Sequence, residues 1–124
     1  FPGFVDITMD EENPNNAYIS SFGTTSLINS YETGGLFEIQ DDEIVNFYNH
    51  LNSDLEDISP LDPTRVTIRL SASEFDSQGN LWMTNIGGTK ELKKLSNGNW
   101  SGFDIGAAKP SNSFGLSEMA IDRE

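Results

Sequence analysis

The chain contains no cysteine and only one histidine among its 124 residues. Without cysteine there is no disulfide scaffold, no thiolate zinc site and no cysteine nucleophile. Basic residues are also scarce, with 7 Lys and Arg against 20 Asp and Glu, which gives a net charge of −13. Such an acidic chain is a poor partner for the phosphates of nucleic acid or for an anionic membrane surface. No apolar run approaches the roughly 18 residues of a membrane-spanning helix, so we expect no membrane insertion by this segment.

Helical periodicity is nearly absent, and the apolar residues alternate in short runs separated by Gly, Asn, Asp and Pro. This pattern is typical of strands joined by turns. It predicts four strands, a polar connection, four more strands and the beginning of a further unit. The predicted strands are 4–9, 17–22, 36–39, 44–48, 66–75, 81–84, 91–95, 100–105 and 116–121.

The two sets of strands resemble each other. Asn16-Ala17-Tyr18-Ile19-Ser20 matches Asn80-Leu81-Trp82-Met83-Thr84 position for position, and the turn Asp41-Asp42 matches Asn97-Gly98. Asn-Gly is the strongest short hairpin signal in the chain, because both positions accept the positive φ of a type I′ turn. A repeat of about 45–65 residues with four strands has the size of a β-propeller blade.

The predicted fold is therefore all-β, built from antiparallel four-stranded β-propeller blades, with about two blades plus one strand. The first blade spans 4–49, the connection 50–65 and the second blade 66–105, and the next blade starts within 116–124. Because a propeller needs roughly 4–8 blades to close, we interpret residues 1–124 as a fragment of one propeller domain. Its first expected partner is the remainder of its own propeller, since two isolated blades would leave an apolar face open.

One stretch makes the chain resemble a known family. Phe75-Asp76-Ser77-Gln78-Gly79-Asn80-Leu81-Trp82-Met83-Thr84 resembles the repeat of the two-component regulator propeller family, in which an Asp-x-x-Gly-Asn-Leu-Trp turn and strand recurs in each blade. More narrowly, residues 17–22, 48–53 and 75–85 are similar to the propeller of PorZ-type proteins of the Bacteroidetes type IX secretion system.

The resemblance implies a non-enzymatic scaffold or recognition module, extracytoplasmic and at the outer-membrane surface, that takes part in attaching secreted cargo. The implied partners are other secretion-complex subunits or an anionic lipopolysaccharide or glycan. The resemblance implies no catalytic, cofactor-binding or metal-binding residues. The alternative is the periplasmic ligand-sensing propeller of a hybrid two-component histidine kinase that recognises glycans.

Few residues suggest a catalytic or metal-binding role. A Ser-His-Asp triad would have to use His50, which lies in the polar connection without a nucleophile elbow and is expected at the surface. The acidic groups at Asp41–Glu43 and Asp54–Asp57 could form a glycosidase pair or hold calcium, but charge runs of this kind are usually solvated turns. A calcium loop at Asp76–Asn80 is disfavoured because its glycine comes too early.

Other sequence features are weaker signals of a binding function. The glycine pairs at 34–35 and 87–88 lack the Lys-Ser/Thr and the helix that follow a phosphate-binding loop, and the sequon at Asn99 overlaps a predicted hairpin. The longer stretches 23–35, 50–65 and 106–115 are better candidates for recognition, because loops carry most binding functions. Five aromatic residues are expected to pack between blades rather than form a carbohydrate platform: Tyr18, Phe47, Trp82, Trp100 and Phe103.

Overall fold

A computed structural model describes residues 3–23, 31–58, 62, 64–109 and 119–122. These residues form two four-stranded antiparallel sheets, and within each sheet every strand pairs with the next one along the chain. Blade 1 consists of β1 (Gly3–Met9), β2 (Asn16–Phe22), β3 (Gly34–Gln40) and β4 (Glu43–Tyr48), and blade 2 of β5 (Leu70–Phe75), β6 (Leu81–Asn85), β7 (Leu92–Ser96) and β8 (Asn99–Phe103). Single turns of 3-10 helix lie at Tyr31–Thr33 and Gly106–Ala108. None of the described residues belongs to a helix long and apolar enough to cross a membrane.

The sheets confirm the all-β fold with four-stranded antiparallel blades, but several strand boundaries differ from the prediction, most of all at the start of β5. Strand β5 begins at Leu70 rather than at residue 66. The backbone of Ile68 instead bonds to blade 1, donating its N–H to the Thr33 carbonyl (2.7 Å) and accepting the Gly23 N–H (2.8 Å). The further strand predicted over 116–121 lies partly outside the described residues, and residues 119–122 belong to no strand.

Both predicted hairpin turns have the expected backbone. Asn97 and Gly98 have φ values of 49° and 78°, and Asp41 and Asp42 have values of 50° and 66°. Two consecutive residues with positive φ are the mark of a type I′ turn, whose twist matches that of the flanking strands. The match between the two turns in the sequence is therefore a match in conformation.

We expect Gly98→Val to lower the free energy of unfolding by about 1–2 kcal/mol, because a β-branched residue resists positive φ. A Cβ atom at Gly98 would meet no atom within 4 Å, so the whole loss comes from the backbone. Denaturant unfolding measures the change, and Gly3→Val is the control, since Gly3 is equally open but does not have positive φ. Equal stability of the two variants would contradict the turn assignment.

The repeat extends to the pairing register. Ala17 faces Ile39 in blade 1, as Leu81 faces Leu95 in blade 2. The sequence of the two repeats matches Ile44 and Phe47 with Trp100 and Phe103, but β4 carries a bulge that advances its register by one residue. As a result Tyr48, rather than Phe47, occupies the position of Phe103.

The two sheets stack face to face. The inner face of blade 1 is the side that packs against blade 2, and the outer face is the opposite side. Two edge-to-face aromatic pairs connect the sheets, Tyr18 with Phe75 at 5.8 Å and Tyr48 with Trp100 at 5.4 Å between ring centroids. The buried apolar cluster between them contains Tyr18, Leu36, Leu55, Val66, Ile68, Leu70, Leu81, Met83 and Leu95.

A carboxylate also lies on this inner face. Glu38 accepts hydrogen bonds from the hydroxyls of Tyr18 (3.0 Å) and Tyr48 (2.9 Å) and from the Asn46 side chain (2.8 Å). Burial, with the nearby Glu38 charge, raises the pKa of Tyr18 to about 12. Both tyrosines therefore stay protonated and able to donate, which satisfies a charge that would otherwise be costly between two sheets.

Candidate functional site

The connections between strands divide into two groups at opposite ends of the sheets. The tight turns 10–15, 41–42, 76–80 and 97–98 lie at one end, which we call the hairpin end. The longer connections lie at the other, which we call the loop end, with described residues 31–33, 49–58, 64–69, 86–91 and 104–109. The three stretches expected to carry recognition all belong to the loop end, although part of each lies outside the described residues.

The first half of the predicted polar connection is a docked strap, residues 49–58. It begins with a turn in which the Asn49 N–H donates to the Asn52 side chain (2.8 Å) and the Leu51 N–H to the Asn49 side chain (2.9 Å). Leu55 then enters the core between the blades. The asparagines favour this turn because their side chains bond to nearby backbone groups. The connection is therefore part of the packed structure.

The acidic residues of the strap bind a buried cation, so their interpretation as solvated turns was wrong. The Lys93 side chain is completely buried, and its Nζ lies 2.8 Å from Glu56 and 3.3 Å from Asp54. Asp57 accepts the backbone N–H of Thr67 at 2.9 Å. A buried ammonium group needs such partners because desolvation of a lone charge is expensive.

Glu56 has further donors in the loop between β6 and β7. It accepts the backbone N–H of Thr89 (3.0 Å) and of Lys90 (2.9 Å), together with the Thr89 hydroxyl. Burial by itself raises the pKa of Glu56, but the hydrogen bonds from Lys93, Thr89 and Lys90 outweigh it and lower the pKa to about 2. The carboxylate is therefore charged at neutral pH and fixed in a structural role.

An asparagine connects the strap backbone to blade 2. The fully buried Asn85 accepts the Glu56 N–H (2.6 Å) and donates to the Glu56 carbonyl (3.1 Å). These two bonds satisfy both backbone groups of one strap residue, as a neighbouring strand would. Neither Asn85 nor Lys93 was expected to have a role from the sequence.

A second ion pair lies at the loop end. Glu91 is 4% exposed, and its carboxylate lies 3.5 Å from the Nζ of Lys109. Lys109 also donates to the Gly88 carbonyl at 3.1 Å. The two glycines at 87–88 thus border the strap and this ion pair.

The two glycines at 34–35 permit close backbone packing, since a Cβ atom on Gly34 would come within 2.3 Å of Gly23 and Ile68.

The other candidate catalytic and metal-binding residues do not lie together in the structure. His50 is partly buried in the strap, and its Nδ1 has no hydrogen-bond partner among the residues that the structure describes. Asp41 and Asp42 are exposed at the hairpin end, where Asp41 accepts the Asn15 side chain at 2.9 Å. Among the described residues no three His, Cys, Asp or Glu side chains are grouped closely enough to hold a metal ion.

The family-like motif at 75–84 has a structural explanation. One oxygen of Asp76 accepts the backbone N–H groups of Gln78 and Asn80, and the other accepts the Asn80 side chain and the Trp82 indole, all within 2.8–2.9 Å. Burial raises the pKa of Asp76, but these bonds outweigh it and hold the pKa below its usual range. The aspartate therefore fixes both the turn and the tryptophan that follows it.

The five aromatic candidates do not form one platform. Tyr18 and Trp100 lie between the blades, and Phe47 packs on Phe37 at the outer face of blade 1. Trp82 and Phe103 lie on the far face of blade 2, the side away from blade 1, with ring centroids 5.5 Å apart. Packing between the described blades is thus confirmed for two of the five.

No protein-family model matches the chain, and no curated protein matches it. Among solved structures the chain is similar to PorZ, described as an essential bacterial surface component of the type IX secretion system of Porphyromonas gingivalis. The TM-score is 0.65 at 22% sequence identity, and the similarity covers 82% of this chain but 12% of that one. At this identity the match shows a PorZ-like fold.

Proposed function

We propose that this chain is part of a non-enzymatic β-propeller that acts as a scaffold in type IX secretion, attaching cargo at the outer surface of the cell. The observation that carries the proposal is the PorZ-like fold over 82% of the chain. The loop end supports it, because the strap carboxylates Asp54 and Glu56 are used to hold Lys93. They therefore serve the architecture rather than a reaction.

The distribution of charge favours the loop end for contact with partners. The described turns of the hairpin end contain no lysine or arginine, whereas Arg65, Lys90 and Lys109 are exposed at the loop end. An anionic glycan or lipopolysaccharide approaching a chain of net charge −13 is repelled least where cations are exposed. We therefore propose that such a ligand, or the acidic surface of another secretion subunit, binds at the loop end.

The test is deletion of the gene in the bacterium that encodes the chain. We expect surface-attached cargo of the type IX system to fall several-fold, measured by mass spectrometry of peptides released by surface proteolysis, and to return with the wild-type gene. Cargo at the wild-type level after deletion would contradict the secretion role. A lost transcriptional response to glycans, with cargo unchanged, would instead support the sensor alternative.

A pair of variants in the same strain tests the loop end. Lys90→Ser and Ser77→Asp each lower the net charge by one, at the loop end and at the hairpin end respectively. In the deletion strain, the gene with Ser77→Asp should restore cargo attachment fully, and the gene with Lys90→Ser should restore it only in part. Both side chains are exposed, so neither change should alter folding by more than about 0.5 kcal/mol.

A further inference from the structure

The turn between β7 and β8 has a reactivity that its structural role does not use. Asn97 and Gly98 are both exposed there, and a Cβ atom built on Gly98 would meet no other atom within 4 Å. The side-chain amide carbon of an asparagine can be attacked by the backbone nitrogen of the next residue, which closes a five-membered cyclic imide. Glycine hinders that attack least, because it has no side chain. The pair therefore has the composition and the exposure that this reaction needs.

The side chain of Asn97 is not held in place by a hydrogen bond within the described part of the chain. Every other described asparagine except Asn13 uses its side-chain amide in a hydrogen bond. Asn13 precedes Pro14, whose ring nitrogen carries no proton and cannot close the imide. Of the asparagines that the structure describes, Asn97 is thus the one that combines an unbonded side chain with a neighbour able to react.

The attacking nitrogen is also unprotected. The Gly98 N–H has no acceptor among the described residues, whereas the Gly79 N–H donates to the Asp76 carbonyl (3.1 Å) and the Gly88 N–H to the Asn85 carbonyl (3.3 Å). A backbone N–H must lose its proton before the nitrogen attacks, and a hydrogen bond in the folded state slows that loss. The Gly98 nitrogen is therefore available in the folded chain.

The equivalent turn in blade 1 shows which product fits the fold. Asp41 occupies the position of Asn97, and the two residues have φ values of 50° and 49°. An aspartate at position 97 can therefore keep the same turn. An isoaspartate cannot, because its main chain runs through Cβ and adds an atom to a two-residue loop. Since Trp100 of β8 packs on Tyr48, a disturbed turn would reach the contact between the blades.

We propose that Asn97 is a site of spontaneous modification. The Gly98 nitrogen loses its proton to the solvent and bonds to Cγ of Asn97, and the Cγ–Nδ2 bond breaks, so that the amide nitrogen takes up a proton and leaves as ammonia. Water then opens the imide. Opening at Cγ gives aspartate, and opening at the main-chain carbonyl carbon gives isoaspartate; either product adds one negative charge to the net charge of −13. The reaction depends on the turn alone and is independent of the secretion role.

The first measurement is peptide mapping by mass spectrometry after incubation of the folded chain at mildly alkaline pH. We expect position 97 to show the exchange of amide for acid several-fold faster than any other described asparagine. Asp41→Asn is the matched control, because it places an asparagine in the same kind of turn but before Asp42 instead of glycine. Position 41 of that variant should stay unmodified while Asn97 reacts. Reaction at Asn97 only after denaturation in urea, or equal rates at positions 41 and 97, would overturn the proposal.

The second measurement separates the two products. Methylation by an isoaspartyl methyltransferase detects isoaspartate, and chromatography isolates that form from the aged chain. Asn97→Asp supplies the aspartate form directly and should unfold at the denaturant concentration of the wild type. The isoaspartate form should unfold at a lower concentration, with an earlier change in tryptophan fluorescence as Trp100 leaves Tyr48. A chain that forms no isoaspartate would contradict the cyclic imide, and a wild-type midpoint for the isoaspartate form would contradict the effect on β8.

Discussion

Replacement of Leu36 by alanine is expected to lower the free energy of unfolding by about 3–5 kcal/mol. The Leu36 side chain is completely buried and belongs to the apolar cluster that joins the two sheets. Its removal leaves a cavity that two paired sheets cannot close without disturbing their hydrogen bonds, so most of the lost packing is not recovered. Chemical denaturation followed by circular dichroism and by tryptophan fluorescence measures the change.

The matched control for this variant is Ile7→Ala. Ile7 is a similar aliphatic residue in the same sheet, but it lies on the outer face and is 64% exposed. We expect this change to cost less than about 1 kcal/mol in the monomer, as surface substitutions usually do. Losses of the same size for the two variants would contradict the stacking of blade 1 on blade 2.

The second large effect is expected at the strap, where Glu56→Ala should cost about 2–4 kcal/mol. The change removes the nearest partner of the buried Lys93 ammonium, leaving Asp54 at 3.3 Å. It also removes the acceptor for the backbone N–H groups of Thr89 and Lys90. Since the Glu56 side chain is 28% exposed, water replaces part of what is lost, which keeps the effect below that of a fully buried pair. Denaturant unfolding is again the measurement.

Two further variants separate the ion pair from a general effect of charge. Glu43→Ala removes the same charge from an exposed position and should change stability by less than about 0.5 kcal/mol. Lys93→Met removes the cation, so Glu56→Ala should cost less in that background than in the wild type. Additive losses in the double variant would show that Glu56 and Lys93 do not interact.

The same site gives stability a defined pH dependence. The pKa of Glu56 in the folded chain is about 2, below its ordinary value of 4.5. A carboxyl group with a lowered folded pKa contributes fully above its unfolded pKa and loses that contribution as the pH falls toward the folded pKa. The stability difference between the wild type and Glu56→Gln should therefore be constant above about pH 5 and shrink between about pH 4.5 and 2.

The hairpins could be predicted from the sequence because their causes are local. Asn97-Gly98 selects a type I′ turn by itself, and the similarity of the two repeats extends the conclusion to Asp41-Asp42. Alternation then places the strands, since side chains in a strand point to opposite faces with a period of two. The register shifts in β1, β4 and β5 are the exceptions, because nothing in the sequence at these places indicates an extra residue.

The strap could not be predicted because its partners are distant in the chain. Asp54, Glu56 and Asp57 form a charge run with no cation nearby in the sequence, and Lys93 follows Glu56 by 37 residues. One signal was present in the repeat itself. Lys93 occupies the position of the buried Phe37, and a lysine in a buried row requires an anionic partner.

The acidic residues of the hairpin end make the stability of the fold depend on ionic strength. Asp10, Glu11, Glu12, Asp41, Asp42 and Asp76 all lie in its turns, and those turns contain no lysine or arginine. Their mutual repulsion acts against the folded state and weakens as ionic strength rises, because the screening length shrinks to about 10 Å at 0.1 M salt. We therefore expect the folded chain to be more stable in concentrated salt than in dilute buffer.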